Sequence, residues 1–424
     1  MKKKLGIGLI VIGLLIGLFF MLNKKEEDDK KIVIWAYDNV ASIAEKAVEI
    51  YKKENKDLDY EFEVVKIGQE DMVEKIKVYL STNSLNNLPD VFYDEDYNFL
   101  EFIKYYENNF VDLTEYVNLE DYAIFKRINV TYNDKTYAIP FDCGVGVMFY
   151  RVDLIKKAGY EEKDMENLTW NQFIEIGKKV KKETGIDMIT VLPEGDMEGR
   201  LLYQSAGTWF FDENGKANIE NNQAFIDSFN TIKRVLDSGI VYKTTSWDDI
   251  ISSISNEKIV SLVGGSWWSP IIESYKEQSG KWRVTTMPRM SESNDYSNYS
   301  NLGGGNWFVI NKSNKEIAID FAVSTFGKSQ ELIDYSAETF AIVPVNLNLI
   351  NNLTVNDNDF FGGEKIAKKM AEYSEYIKPV KYGLHTYEIT YYVGTVFQEY
   401  LDDKLSFEDA IKKMQKEAEK VSME

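Results

Sequence analysis

KIVIWAYDN, residues 31–39, predicts a buried β-strand, because the segment is apolar, rich in β-branched residues and ends in polar ones. A helical pattern follows over about 40–55, and DYEFEVVKI predicts a second strand. The next helix carries Met72, Ile76 and Leu80 on one face, and LPDVFYDEDYNFLEFI supplies a third strand. Strands that alternate with helices predict an α/β fold built on a parallel sheet with helices on its faces.

Local patterns farther along the chain also mix strands with helices. They predict hairpin turns at 133–134 and 214–215, a helix capped by Thr169 and ended by Gly185, a strand over 259–263 and a terminal amphipathic helix in FEDAIKKMQKEAEK. No repeat of fixed period interrupts this order.

Length and composition bound the class of protein. At 424 residues the chain is long enough for two globular lobes, and 44% hydrophobic residues place it among folded globular proteins. The formal net charge of -20 argues against nucleic acid as a partner, since phosphate backbones are bound through clustered Lys and Arg. Cys143 and His385 are the only residues of their types, which argues against a disulfide framework and against zinc sites. We expect no metal site and no cofactor.

The N-terminus predicts export from the cytoplasm. The run from Leu5 to Leu22 holds 18 residues without a charge and follows the lysines at 2–4. As a helix it would extend roughly 27 Å, close to the hydrocarbon thickness of a bilayer. No small-residue cleavage site and no lipid-accepting Cys follow it, so residues 1–31 are expected to form an uncleaved transmembrane helix and a tether that hold the chain on the outer face of the cell membrane. A cleaved signal peptide with a secreted product is the alternative.

These segments together resemble family 1 extracellular solute-binding proteins, the maltose-binding-protein-like sugar receptors of ABC importers. The matching motifs, in order, are IVIWAYDN, LPDVFYD, VDLTEYV, KTYAIPFDCGVGVMFYRVDLIKKAGY, LTWNQFIEIGKKV, SLVGGSWW, GGGNWFVINKSNKEIAIDFAV, the isolated Pro344 and SFEDAIKKM. The resemblance covers the chain from about Lys31 to its end. The sequence departs from the family pattern at the missing lipid-attachment Cys, at Arg151, where Asn is common, and at the shortened entry Leu168-Thr169-Trp170.

The resemblance implies a two-lobed α/β fold of the type II periplasmic-binding-protein kind, in which crossing strands form a hinge. It places the first lobe at 32–142 and 308–348, and the second lobe at 145–305 and 352–424. Gly144, Gly146 and the triplet 303–305 would provide permissive backbone at the crossings. The triplet precedes a strand, so it does not fit a phosphate loop, which opens a helix.

Candidate ligand-binding residues follow from the chemistry of a sugar, whose flat apolar faces and hydroxyl groups require aromatic rings beside hydrogen-bonding side chains. In an open α/β sheet the ligand lies beyond the carboxyl ends of the strands. The candidates at that edge, at the crossings and in the second lobe are Trp35, Tyr37, Asp38, Asp94, Asp96, Asp142, Trp209, Trp267, Trp268, Trp307 and His385. The resemblance implies a stacking ring at Trp267. The alternatives are packing for each tryptophan, a hinge role for Asp142 and a structural role for His385.

The resemblance implies that the chain binds a mono- or oligosaccharide between its lobes, delivers it to the permease subunits of an ABC importer and catalyses no reaction. A sensory receptor with the same fold and no transporter is one alternative. A glycoside hydrolase is another, and it requires two carboxylates about 5–10 Å apart, for which Asp94 and Asp142 are the candidates.

Overall fold

The computed structural model describes residues 30–191, 196–293 and 295–422. The hydrophobic run at 5–22, expected from the sequence to be a transmembrane helix, lies outside these ranges. Inside them, no helix is both long enough and apolar enough to cross a membrane.

The strands and helices alternate along most of the described chain. The strands are β1 (Lys31–Ala36), β2 (Glu61–Lys66), β3 (Val91–Glu95), β4 (Thr131–Tyr132), β5 (Lys135–Thr136), β6 (Ala138–Pro140), β7 (Asp142–Cys143), β8 (Gly146–Arg151), β9 (Ile189–Val191), β10 (Val241–Lys243), β11 (Ser261–Gly265), β12 (Trp282–Thr286), β13 (Gly305–Val309) and β14 (Val343–Pro344). The helices are Asp38–Glu54, Gln69–Ser81, Phe99–Tyr106, Ile124–Arg127, Val152–Lys157, Trp170–Thr184, Asp196–Ala206, Gln223–Asp237, Trp247–Ser255, Trp268–Glu273, Lys315–Ala322, Gln330–Phe340, Leu347–Asn351, Ile366–Ser374, Thr386–Leu401 and Phe407–Ser422.

The first lobe is built on a five-stranded sheet in the order β2-β1-β3-β13-β6. β1 lies between β2 and β3 and is parallel to both, as the alternation of strands and helices predicts. β13 returns from much later in the chain and pairs antiparallel with both β3 and β6, so the sheet is mixed rather than wholly parallel. Ile32, Ile34 and Ala36 of β1 are fully buried, which explains the apolar run that opens the fold.

The second lobe contains an antiparallel sheet in the order β11-β8-β12. Every residue of the central strand β8 is buried, including Arg151 at its end. β9 and β10 form a separate parallel pair. The chain enters this lobe after β7, through the Gly-rich segment at 144–146.

Two of the local predictions are confirmed in detail. Thr169 caps the helix Trp170–Thr184 through a reciprocal capping box with Gln172, and Gly185 ends the helix with a φ of 76°. Asn133 and Asp134 both have positive φ between β4 and β5, as a tight hairpin turn requires.

The buried apolar side chains form two hydrophobic clusters. The first surrounds the first sheet and also covers one face of the second sheet, at Val147 and Phe149 of β8, and the second covers the opposite face, at Met148 and Tyr150. The first cluster also takes in Trp268 and Trp282, which lie within the range expected for the second lobe. The residue limits of the two lobes therefore remain a prediction.

Candidate functional site

The two lobes are joined by adjacent backbone segments that run side by side. The Gly144 N–H donates to the Gly303 carbonyl over 3.2 Å, and the Leu302 N–H donates to the Gly144 carbonyl over 2.7 Å. A third segment adjoins them where β14 pairs antiparallel with β7. Gly304 has a φ of 88°, and a Cβ added there would lie 2.4 Å from the Cys143 Cα. Only glycine allows the segments to approach this closely.

Tyr97 is buried where the two lobes meet. It lies in the 3-10 turn Asp96–Asn98 that directly follows β3 of the first sheet, yet its ring packs in the hydrophobic cluster of the second lobe. The ring meets Tyr382 and Tyr387 edge-on, at centroid distances of 4.5 and 5.3 Å. It also stacks on Trp209 at 5.9 Å. Aromatic rings from both lobes therefore meet at one point.

Charged groups from both lobes lie beside these rings. The Tyr387 hydroxyl donates a hydrogen bond to Glu95 Oε2, which ties the second lobe to the end of β3. Burial raises the pKa of the Glu95 carboxyl, while the Tyr387 hydrogen bond and the positive charge of Arg200 oppose that rise. The Arg200 guanidinium carbon lies 5.8 Å from the centroid of the Tyr97 ring. The cleft thus offers hydrogen-bonding groups of both signs next to aromatic faces.

Asp94 places a carboxyl at the carboxyl end of β3, as the sequence predicts. The residue is fully buried, and burial is the main cause that raises the pKa of its carboxyl to about 8. Oδ2 accepts a hydrogen bond from Asn98 over 2.9 Å. Among the described residues, Oδ1 has no hydrogen-bond partner, and the same holds for the Tyr37 hydroxyl and Trp209 Nε1. A bound ligand that carries hydroxyl groups would give such atoms partners.

Asp96 and Asp142 are engaged with the supporting structure beneath the cleft. Asp96 Oδ1 accepts from Lys126 Nζ over 2.6 Å and from the Asn306 amide over 2.7 Å. Asp142 Oδ1 accepts from the Tyr93 hydroxyl over 2.6 Å and from the Gly305 backbone N–H over 2.8 Å. The contact with Gly305 is the kind of interaction that a hinge role for Asp142 requires.

The tryptophans expected near the ligand occupy different environments. Trp267 is half-buried, contacts both hydrophobic clusters and lies against Gly144 and Gly265 at the crossing. Trp268 is fully buried and stacks on Trp247 at 4.2 Å, and Trp307 is fully buried and stacks on Phe326 at 3.7 Å. Trp35, on β1, is half-buried and packs against the first cluster. The contacts of Trp268 and Trp307 are those of core residues.

Two further candidates lie at helix starts. Asp38 is exposed and has a positive φ of 44° at the start of the helix Asp38–Glu54. His385 precedes the helix Thr386–Leu401, and its backbone N–H donates to Glu101 Oε1 of the first lobe over 3.0 Å. His385 Nδ1 lies 3.8 Å from a carboxylate oxygen of Glu101 and 3.8 Å from one of Glu388. The structure therefore places His385 at the margin of the cleft, where the lobes touch.

The sequence reasoning missed five residues that the structure brings to the cleft: Glu95, Tyr97, Arg200, Tyr382 and Tyr387. Glu95 and Tyr97 stand next to Asp94 and Asp96 in DEDY, so their position after a strand was a usable signal. Tyr382 and Tyr387 flank the candidate His385, so their position beside it was also a usable signal. Arg200 lies outside any motif. Within the described ranges, no group of three or more His, Cys, Asp or Glu residues is arranged to hold a metal ion.

Comparison with known proteins agrees with this architecture. The family model for bacterial extracellular solute-binding protein matches residues 46–361. The lactose-binding protein of Rhizobium radiobacter is 30% identical over 364 residues, which cover 85% of each chain.

Solved structures of sugar-binding proteins share the fold. The sugar-binding protein MalE of Xanthomonas citri superposes with a TM-score of 0.77 at 15% identity, covering 93% of this chain and 97% of that one. The ABC transporter associated binding protein of B. animalis subsp. lactis Bl-04, in complex with β-1,6-galactobiose, superposes with a TM-score of 0.67 at 20% identity, covering 93% and 98%. The two-lobed MalE-like fold implied by the sequence is thereby confirmed. On the family match and the lactose-binding relative, the chain belongs to the bacterial extracellular solute-binding protein family.

Proposed function

We propose that this protein is the sugar-binding component of an ABC importer and that it works outside the cytoplasmic membrane. Membership of an extracellular solute-binding family supports both parts of the proposal. The relative from Rhizobium radiobacter binds lactose, and the transporter-associated protein of similar fold was solved with a galactobiose. A sugar of two or more units is therefore the first ligand to test.

One observation at the contact between the lobes supports a sugar as the ligand. Aromatic rings from both lobes surround Tyr97, and next to them lie buried polar atoms without a partner among the described residues, on Tyr37, Asp94 and Trp209. A sugar presents apolar C–H faces to rings and hydroxyl groups to such polar atoms. An apolar ligand would leave these donors and acceptors unpaired, at a cost of about 1–3 kcal/mol for each.

The ligand-binding residues that we propose are those around Tyr97. Tyr37, Asp94 and Trp209 come from the sequence analysis, while Glu95 and Tyr387 are added by the geometry of the cleft. Trp267 and His385 remain proposals for the margin of the site, because both lie where the two lobes meet.

We infer further that the protein is a binding protein and not a hydrolase. A glycosidase uses one carboxyl to protonate the leaving group and a second carboxylate that is free to act as base or nucleophile. Asp142, the candidate for the second role, has its Oδ1 occupied by hydrogen bonds from the Tyr93 hydroxyl and the Gly305 N–H. A purified protein that cleaved oligosaccharides would overturn this inference.

We also propose that residues 5–22 remain attached as a membrane anchor. The support is the sequence alone: the run is uncharged and follows three lysines. Mass spectrometry of the protein extracted from membranes tests this point, since an intact N-terminus supports the anchor and a shortened one supports a secreted form.

The experiment that tests sugar binding is calorimetric titration of the full chain in detergent with lactose, β-1,6-galactobiose, maltose and maltotriose. We expect saturable binding of at least one of these sugars, with closure of the lobes seen as a smaller radius of gyration in X-ray scattering. Absence of binding across the whole set would argue against the proposal. Loss of uptake of the bound sugar in cells that lack the protein would then link binding to import.

A further inference from the structure

The residues on either side of Tyr97 in the chain line two different cavities. Asp96, one residue before it, lines a cavity of about 320 Å³ together with Tyr382. Asn98, one residue after it, lines a cavity of about 530 Å³ together with Tyr387. Pockets that bind small molecules usually have volumes of about 300–1,000 Å³, so each cavity has room for a ligand group. Each cavity therefore borders the aromatic cluster at Tyr97, one through Tyr382 and the other through Tyr387.

The smaller cavity, which we call the hairpin cavity, is enclosed by a hairpin from each lobe. Tyr132 belongs to the β4–β5 hairpin of the first lobe, and Phe211 opens the 211–217 hairpin of the second lobe. Phe99 and Tyr382 complete its aromatic walls. The Phe211 ring rests on the backbone of Gly383, where an added Cβ would lie 2.4 Å from its Cδ2. Glycine at position 383 therefore leaves the space that the Phe211 ring occupies.

Polar groups are set among these rings. Asp96 is buried, and its Oδ2 has no hydrogen-bond partner among the residues that the structure describes, while Oδ1 is taken by Lys126 and Asn306. Asp212 and Glu213 add two more acidic side chains, against the single cation Lys381 in the lining. An acidic lining repels carboxylated sugars and favours a neutral hydroxylated unit.

We propose that the hairpin cavity is an accessory subsite that holds one further neutral sugar unit of an oligosaccharide whose other units occupy the cleft at Tyr97. The inference rests on the proposed function, since it assumes that the cleft binds a sugar chain. The aromatic walls match the apolar face of a pyranose, and Asp96 Oδ2, a buried oxygen without a partner among the described residues, accepts a hydrogen bond from one of its hydroxyl groups.

Because the walls come from both lobes, a unit bound here contacts both at once. Longer oligosaccharides therefore stabilise the closed arrangement of the lobes more than a disaccharide does. Chain length, rather than only the identity of the first two sugars, becomes a determinant of specificity.

The test is calorimetric titration of the full chain in detergent with β-galacto-oligosaccharides and malto-oligosaccharides of two, three and four units. The variants are Phe211→Ala and Tyr132→Ala, one on each side of the cavity, so that a folding defect in one leaves the other informative. Tyr105→Ala is the matched control, because Tyr105 is an exposed aromatic residue of the first lobe that is not part of the cavity lining. Thermal unfolding of each variant verifies that it is folded.

We expect wild-type affinity to rise with the third or fourth unit. Each cavity variant should lose about three- to tenfold in affinity for the longer sugars and keep its disaccharide affinity, since an aromatic contact contributes about 0.5–1.5 kcal/mol. Equal losses for every chain length, or no loss in either folded variant, would overturn the accessory subsite while leaving sugar binding intact. Absence of binding by every sugar would instead contradict the proposed function itself.

Discussion

Trp209 and Tyr97 stack across the cleft, with their ring centroids 5.9 Å apart and their planes inclined by 19°. Tyr97 follows β3 of the first sheet, whereas Trp209 follows the helix Asp196–Ala206 and packs in the second hydrophobic cluster. The contact joins the lobes, and Trp209 Nε1 still has no hydrogen-bond partner among the described residues. An unpaired buried donor costs about 1–3 kcal/mol, so a ligand that accepts from this N–H gains affinity by removing that cost.

Replacement of Trp209 by Phe should lower sugar affinity about tenfold, because Phe keeps an aromatic face but cannot donate the hydrogen bond. Calorimetry with the sugar that binds best measures this loss. Trp307→Phe is the matched control: Trp307 Nε1 also has no partner among the described residues, but its ring stacks on Phe326 in the core of the first lobe. Equal affinity losses in the two variants would show that the effect of Trp209→Phe is one of packing.

The buried carboxyl of Asp94 should make the stability of the protein depend on pH. Its pKa is raised from 3.8 to about 8 in the folded state, mainly by burial, so the folded chain binds a proton there that the unfolded chain releases above about pH 4. The contribution of Asp94 to the free energy of unfolding therefore falls as pH rises from 4 to 8, and levels off above that. Asp94→Asn removes this dependence, since an amide has no charge to bury.

Urea unfolding at pH 4.5, 6 and 8 tests this account. Relative to wild type, the stability of Asp94→Asn should increase with pH, by at least about 1 kcal/mol over the range. Asp248→Asn provides the control, because the Asp248 carboxyl is exposed and hydrated in the folded and unfolded states alike. If the difference in unfolding free energy between Asp94→Asn and wild type does not change with pH, the Asp94 carboxyl is ionised in the folded protein over this pH range.

Contacts of the Tyr387 hydroxyl should favour the closed arrangement of the lobes. The hydroxyl donates a hydrogen bond to Glu95 Oε2 and accepts one from the Gln69 amide over 3.3 Å, and both partners belong to the first lobe. Tyr387→Phe removes both hydrogen bonds and keeps the ring, so we expect a larger radius of gyration for the sugar-free protein in X-ray scattering. Tyr391→Phe, one helical turn farther on and 80% exposed, should leave it unchanged. An unaltered scattering curve for Tyr387→Phe would assign closure to other contacts.

The side chains at the carboxyl ends of β1 and β3 could be predicted from the sequence for a clear physical reason. The apolar segments at β1 and β3 identify strands, and side chains that follow parallel strands collect at their carboxyl ends. Tyr37 and Asp94 were reached in this way, and both have a buried polar atom without a partner in the described structure. Residue type did not separate core from cleft, however. Trp268 and Trp307 have the same chemistry as Trp209, and only the surrounding fold distinguishes them.

The other half of the cleft depends on how the lobes dock. Tyr387 meets Glu95 although 292 positions separate them in the chain, and no local pattern encodes such a contact. Tyr97 shows the same limit at short range. It stands in a 3-10 turn, where neither the twofold repeat of a strand nor the 3.6-residue repeat of a helix fixes the direction of a side chain, and it packs with the opposite lobe.

The glycine at the hinge should be irreplaceable for a steric reason that a second glycine isolates. Gly304 and Gly363 have similar positive φ angles, 88° and 84°, but a Cβ at Gly304 would lie 2.6 Å from the Asp142 carbonyl oxygen, whereas nothing lies within 4 Å of one at Gly363. Gly363→Ala should therefore cost only the strain of a left-handed residue, about 1–2 kcal/mol of unfolding free energy. Gly304→Ala should cost about 1–3 kcal/mol more, because rigid backbone atoms must move apart.

Denaturant unfolding compares the two variants, and sugar titration shows where the extra strain is released. If the crossing segments separate to admit the new methyl group, Gly304→Ala binds sugar more weakly, since Asp142 loses its hydrogen bond to the Gly305 N–H and the relative position of the lobes changes. Gly363→Ala, which is distant from the crossing, keeps wild-type affinity. If both variants lose the same unfolding free energy, the backbone segments at Gly304 move apart without an energetic penalty. The close approach of the crossing segments would then not contribute to the stability of the hinge.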